Sequence, residues 1–243
     1  MAKYSLNTIS ANCYPNTTVL INKFGITNDK TLSHAEADIT QQRILLWNSK
    51  PLSEKFDFKH YKSIHKFLFE ELYEWAGQIR DVDISKKGTK FCPHNEIENR
   101  ADLIFTRLQK LNYYKDLPRK NFINEFVDFY ISTNDLHPFR EGNGRTQRLF
   151  LAQLSRNAGY NLDFANVDTD ELMIATIQSA QGLRDCLLQI FNAELQRIKP
   201  YKQSVRNDKT SISDELEHAK LEVNEYNSGH TIKVKSKRKE RGE

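Results

Sequence analysis

The sequence predicts an all-α fold, a helical bundle that carries one small β-hairpin. Three observations support this. Apolar residues recur at helical spacing along most of the chain, one short stretch alternates instead, and the breaks fall at Pro and Gly. The first segment, residues 1–32, reads as irregular, with Thr17–Ile21 as its one strand-like run. From Ser33 the pattern turns helical. Ser33 and Glu36 form an S-x-x-E capping signature, Ile39, Ile44, Leu45 and Trp47 follow in phase, and Pro51 closes the run. A second helix is expected from Phe58 to Trp75, with Ile64, Leu68 and Leu72 on one face and Gly77 as its left-handed end. Val82 and Ile84 then alternate with Asp83 and Ser85. Lys86, Lys87 and Gly88 supply a turn before Thr89, Lys90 and Phe91, which makes a short hairpin. Helical periodicity resumes over Ile97–Leu111, at Phe122–Tyr130, over Leu149–Asn157 and over Glu171–Ile198.

These boundaries give a main helical unit over 33–200 and a polar tail over 201–243. In the tail, Ser211–Tyr226 has the makings of one polar helix, and the closing run KVKSKRKERGE has no apolar partner to fold against. A chain of 243 residues can bury a real core. Its net charge of +4 permits polyanion binding without singling out nucleic acid. Cys13, Cys92 and Cys186 show no paired spacing, so reduced thiols are expected rather than a disulfide or metal site. No signal-peptide core and no membrane-length apolar run is present, and a bacterial cytoplasmic location without a membrane partner is the expectation, with secretion as an effector left open.

The chemistry is concentrated in His137-Pro138-Phe139-Arg140-Glu141-Gly142-Asn143-Gly144-Arg145-Thr146-Gln147-Arg148, between two apolar helices. Pro138 drives His137 out of the right-handed helical region, so the preceding helix must stop there. Gly142 and Gly144 allow tight backbone turns and close approach by a ligand. A new helix is expected to open with Asn143 as its N-cap. Its first N–H groups and positive dipole end suit a phosphate. Arg145 and Arg148, three residues apart, are expected to face the same anion. Glu141 among these cations suits a divalent metal that bridges phosphates. His137 titrates near neutrality in its free form and is the natural general base.

HPFREGNGRTQR matches the signature HPFx[D/E]GN[G/K]RxxR of the Fic family of protein adenylyltransferases at every fixed position, as in its toxin-like, cell-filamentation members. FDFKHYKSIHKFLFEELYEWAGQIRDVDISKKGTKF resembles the helix and flap that precede this motif in the family, and the resemblance runs from about Leu52 to Leu195. It implies that AMP passes from ATP to a Ser, Thr or Tyr hydroxyl of a target protein, with release of pyrophosphate. By the same resemblance His137 is the base and Glu141 the Mg²⁺ ligand. Phe139, Gly142, Asn143, Gly144, Arg145 and Arg148 form the nucleotide-binding set, with Arg148 on the terminal phosphates. The flap residues Ile84, Lys87, Gly88, Thr89 and Phe91 would align the target segment by strand addition. Ile84 and Phe91 are the expected clamps, although Phe91 reads equally well as core.

Many relatives are held inactive by a helix bearing [S/T]xxxE[G/N], supplied in trans by a small antitoxin or by the chain itself. Thr31–Glu36 has the wrong spacing for that pattern. Ser211 and Glu215 have the spacing, but Leu216 replaces the expected Gly or Asn. An antitoxin in trans is therefore the expected arrangement, with Ser211 and Glu215 as candidate inhibitory residues. Transfer of another phosphoryl moiety, or removal of AMP, would use the same site. A metal-dependent nuclease with a basic tail lacks the ligand spacing it would need.

Overall fold

The computed structural model describes residues 12–53, 55–86 and 89–198, together with the backbone of 5–6. Residues 1–199 form one compact unit, and residues 200–243 form a second that lies outside the described residues. The fold is mainly helical with small strands, as the periodicity predicts.

The backbone of β1 (Ser5–Leu6) precedes a loop whose Cys13, Val19 and Leu20 are buried in the core, so the first segment is irregular but packed. Helix α1 spans Asp29–Asn48. Its cap is Asn28, whose side-chain oxygen accepts the Thr31 N–H at 3.0 Å, so Ser33 lies inside the helix and is not its cap. Asp57 caps α2 (Phe58–Phe69) in the same way, accepting the His60 N–H at 2.7 Å. The apolar phase continues to Trp75, but α2 stops at Phe69. The N–H groups of Leu72 and Tyr73 both turn back to the Phe69 carbonyl, and the Gly77 N–H goes to Nδ1 of His65 at 2.8 Å.

The hairpin forms, shorter than expected, from β2 (Ile84–Lys86) and β3 (Thr89–Lys90), with Ser85 opposite Lys90. β1 pairs antiparallel with the other edge of β2, giving the order β1-β2-β3. A two-residue strand carries too little alternation to be read from sequence.

Helices α3 (Ile97–Lys110), α4 (Arg119–Leu136) and α5 (Asn143–Asn157) follow. The expected long helix after residue 171 is split into α6 (Thr169–Ser179) and α7 (Asp185–Glu194). Gly182 sits at φ +87° in the break, a conformation no helix continues through. Two further strands, β4 (Tyr160–Asn161) and β5 (Gln196–Arg197), pair antiparallel after α5 and after α7.

Helix α5 is the axis of the bundle, packed on α2 and α4, while α3 and α7 cover α4 and α1 covers α2. Phe150 of α5 meets the rings of Phe56, Tyr61, Phe105 and Phe129 within 5.7 Å. Each such side chain stabilises the fold by about 2–3 kcal/mol on burial. Cys13 and Cys92 are buried and Cys186 is exposed.

Gly142 joins this core to the turn before α5. It sits at φ +81°, and a Cβ there would lie 2.2 Å from the Phe69 ring. Strain in the left-handed region adds to overpacking against a fully buried ring. Gly142→Ala is expected to lower unfolding free energy by about 2–5 kcal/mol. Urea denaturation of the two proteins checks this, and equal midpoints would show that the Phe69 contact yields freely.

Candidate active site

Helix α4 ends at His137, which takes the left-handed conformation (φ 42°, ψ 58°) because Pro138 blocks the right-handed one. The ring follows from that backbone. Nδ1 lies 3.0 Å from the Asn134 carbonyl, an acceptor, so Nδ1 carries the proton and the lone pair resides on Nε2. Phe91 stacks on the imidazole at 3.7 Å and 15°. Burial, reinforced by Lys86 and Arg80, outweighs the Asn134 bond and holds the ring down to a pKa of about 3. The imidazole is therefore neutral at pH 7, as a base must be.

Arg80 fixes this ring from behind. It is buried and donates through Nε to the His137 carbonyl at 2.8 Å, while its backbone N–H reaches the Pro138 carbonyl. Its other nitrogens donate to the carbonyls of Val82 and Cys92, the two ends of the hairpin region. One guanidinium thus ties the flap to the end of α4. Sequence reasoning missed it, because an isolated Arg beside Asp81 and Asp83 reads as surface.

Beyond Pro138, Phe139 is fully buried and stacks on His65 at 3.8 Å. It belongs to the core and not to a nucleotide-contacting set. Asn143 clamps it, accepting the Phe139 N–H at 2.9 Å and donating to the Phe139 carbonyl at 2.7 Å. That use differs from the expected one, since the amide braces the turn instead of reaching toward an anion. The N-cap of α5 is Gly142, and the first helical bond runs from Thr146 N–H to its carbonyl. The amides of Asn143, Gly144 and Arg145 precede that bond and point out of the helix start.

The two arginines part company. Arg145 turns inward, donating to Glu36 and to Thr40 of α1, lying 3.5 Å from Glu141 and 4.7 Å over the Phe69 ring. Arg148 lines the cavity. The expectation of one shared anion is corrected: three residues on a helix subtend a wide enough angle for Glu36 to capture one guanidinium. Glu36, set aside for its spacing, meets the first motif arginine and not the last. Burial and the Glu36 charge raise the Glu141 pKa, against the Gly142 N–H and Arg145. Both contacts of Glu141 fall on Oε1, leaving Oε2 for a cation. Among the described residues no group of three His, Cys, Asp or Glu gathers. A hard divalent cation would fit here with one protein carboxylate, its remaining ligands being phosphate and water.

The cavity itself measures about 350 Å³. Its lining includes His137, Lys86, Gly144 and Arg148 together with the apolar side chains of α6, such as Leu172, Met173 and Ile177. Lys86 and the α6 wall were not foreseen. A cavity wall on an amphipathic helix has the same periodicity as core, and half-exposed Met173 and Ile177 are its only trace. Of the flap residues, Thr89 and Phe91 line the cavity, whereas Ile84 is buried and cannot clamp a target. Phe91 packs on the His137 ring instead. Lys87, Gly88, Ser211 and Glu215 lie outside the described residues.

The bundle sets the start of α5 beside a neutral imidazole at one cavity. Known proteins share the construction. The Fic/DOC family model matches residues 55–155. Over 179 residues the chain is 31% identical to the probable protein adenylyltransferase Fic of Escherichia coli, covering 74% of this chain and 88% of that relative. The chain belongs to the Fic/DOC family. It is 38% identical over 181 residues to the protein adenylyltransferase VbhT of Bartonella schoenbuchensis, covering 74% of this chain. It spans 38% of the length of that relative and 41% of a second adenylyltransferase, from Bartonella henselae. The crystal structure of BepC from Bartonella tribocorum, a VirB-translocated effector with bound AMPPNP, superposes with a TM-score of 0.72 at 26% identity, covering 77% of this chain and 97% of that one. An ADP-bound Fic domain from Bartonella quintana gives 0.73 at 28%, covering 77% and 95%. No helix among the described residues is long and apolar enough to cross a membrane.

His65, also missed, bridges the Gly77 N–H through Nδ1 and the Glu141 carbonyl at 2.9 Å through Nε2–H. Only the neutral ring can do both, and burial lowers its pKa to about 3. The unfolded chain, titrating near 6.5, binds this proton first, so the stability it contributes is present above pH 6.5 and lost as pH falls toward 3. Each such proton adds a slope of up to about 1.4 kcal/mol per pH unit. His65→Asn should flatten the unfolding free energy against pH by that one-proton slope between about pH 4 and 6. Parallel curves for the two proteins, measured in urea, would refute the neutral bridge.

Proposed function

We propose that this chain is a protein adenylyltransferase that moves AMP from ATP to a Ser, Thr or Tyr hydroxyl of another protein. The observation that carries the reading is the His137 tautomer: Nδ1–H is held by the Asn134 carbonyl, so Nε2 is the proton acceptor of a ring that lines the cavity. The relatives named as adenylyltransferases, and the AMPPNP and ADP held by the Bartonella structures, support ATP as the substrate.

In this mechanism the triphosphate lies against the first amides of α5, with Arg148 and Lys86 supplying positive charge from the cavity wall. Nε2 of His137 takes the proton of the target hydroxyl. The freed oxygen forms a bond to the α-phosphorus, and the bond from that phosphorus to the α,β-bridging oxygen breaks. AMP remains on the target as a phosphodiester, and pyrophosphate leaves with the electron pair. Glu141 would hold Mg²⁺, whose charge offsets what accumulates on the leaving group. Arg145 does not touch the phosphates in this reading. It keeps the Glu141 carboxylate ionised beside Glu36 and pins the start of α5 to α1. Regulation fits the same geometry: an inhibitory glutamate, from a small antitoxin or from Glu215, would have to reach Arg148, the motif arginine that faces the cavity.

His137→Ala should lower transfer by a factor of about 10²–10⁴ while ATP affinity stays near that of the unaltered protein. Glu141→Ala should lose activity together with its dependence on added Mg²⁺. Mass spectrometry of a lysate target after incubation with ATP reads the first, and it separates AMP from phosphate and phosphocholine. Transfer at full rate by His137→Ala would remove His137 as the base.

A further inference from the structure

The small sheet beside the cavity has two edges, and the fold treats them differently. β2 ends at Lys86 and β3 begins at Thr89, and both residues line the cavity together with His137. At the base of the hairpin the Phe91 N–H points to β2, where it meets the Ile84 carbonyl at 3.3 Å. The next N–H, of Cys92, meets the Asp135 carbonyl of α4 at 2.9 Å. Successive amides of an extended chain point to opposite sides, so the outer side of β3 runs into α4. The outer edge of β2 is therefore the one that an added strand can join.

β1 lies on that edge. It pairs antiparallel with β2, Ser5 opposite Ser85 and Leu6 opposite Ile84. Because the Ile84 carbonyl faces β3, the N–H and carbonyl of Ser85 face β1, and the Ser5 backbone is their partner. The pairing is two residues long, well short of the usual strand of about five or six. Backbone pairing of this kind gives affinity without regard to side chains. A longer extended segment can take over the same groups of β2.

We infer that β1 is an internal occupant of the edge on which an extended segment of the target protein docks, so that target and N-terminal strand compete for β2. This rests on the transferase reading above and adds to it a docking surface and a restraint. The partner it fits is a protein segment extended enough to pair with Ile84–Lys86 and to carry its hydroxyl into the cavity beside Lys86. A strand tethered in the same chain acts at an effective concentration on the order of millimolar, so a target binds by displacing it. A strand that merely covered an exposed edge would guard against aggregation and leave target affinity alone.

The test compares the full chain with Ser5→Pro, which removes the N–H donated to the Ser85 carbonyl, and with a chain lacking residues 1–8. Hydrogen exchange at the Ser85 amide reads the edge without any target, and should quicken by about tenfold or more in both variants. Transfer of labelled AMP to lysate protein should rise by about 3- to 10-fold at low lysate concentration. At high concentration it should converge with that of the unaltered protein, and ATP affinity by calorimetry should stay the same. Unchanged exchange at Ser85 overturns the inference and leaves the transferase reading standing. Faster exchange with transfer at low lysate concentration unmoved or lowered does the same, since β1 is then only a cover. No labelling by any of the three proteins overturns the transferase reading and the competition with it.

Discussion

The active-site turn depends on one buried ring. Phe139 is drawn into the core between His65 and Tyr61, and Asn143 closes on both polar atoms of its backbone. The chain must therefore leave α4 and enter α5 within six residues while its middle is anchored in the interior. That constraint forces left-handed conformations on both sides, at His137 and at Gly142. His137 is aimed by the geometry that lets Phe139 reach the core, so packing energy and base position are the same fact. A looser turn would give back the burial of an aromatic ring, about 2–3 kcal/mol, before it moved the imidazole.

Charge is sorted on this scaffold by helix geometry. Arg145 and Arg148 emerge from one turn of α5 on different faces. One face meets α1, where Glu36 and Thr40 wait, and the other meets the cavity. The inward arginine lies between two carboxylates, Glu36 and Glu141, in a half-buried pocket. Removing it would leave two acidic groups facing each other, a larger penalty than the loss of one contact. The outward arginine is exposed on the cavity side, with no such carboxylate paired to it among the described residues. Partial desolvation lowers its pKa, though a guanidinium stays charged at any working pH.

How much of this the sequence displayed follows from which interactions are local. The His-Pro dipeptide, the glycines and the helix after them are set within a few residues, and the turn they imply is the turn observed. The hairpin was legible from its alternation, and the helical class from its periodicity. What could not be read are contacts across long separations. Glu36 reaches Arg145 over 109 residues, and His65 reaches Glu141 over 76. The overshoot of α2 to Trp75 has the same origin, since its apolar phase continues while the His65 ring diverts the Gly77 amide. Phe139 misled in the other direction: a motif position reads as a ligand contact when its work is to hold the motif in place.

These long contacts also alter where the catalytic unit begins. Helix α1 starts at Asp29, and the loop before it buries Cys13, Val19 and Leu20 in the same core as Phe150. Tyr73, from the turn after α2, donates to the other oxygen of Glu36, so α1, α2 and α5 meet on a single carboxylate. The loop before α1, which buries three side chains in the core of the domain that holds the motif, belongs to that domain and is not a separate irregular segment. The N-terminal helix stands to the charges of this site as Arg80 stands to its His137 imidazole. Each is a remote element of the chain that fixes, through one ionic side chain, a group that the motif alone would leave free to turn.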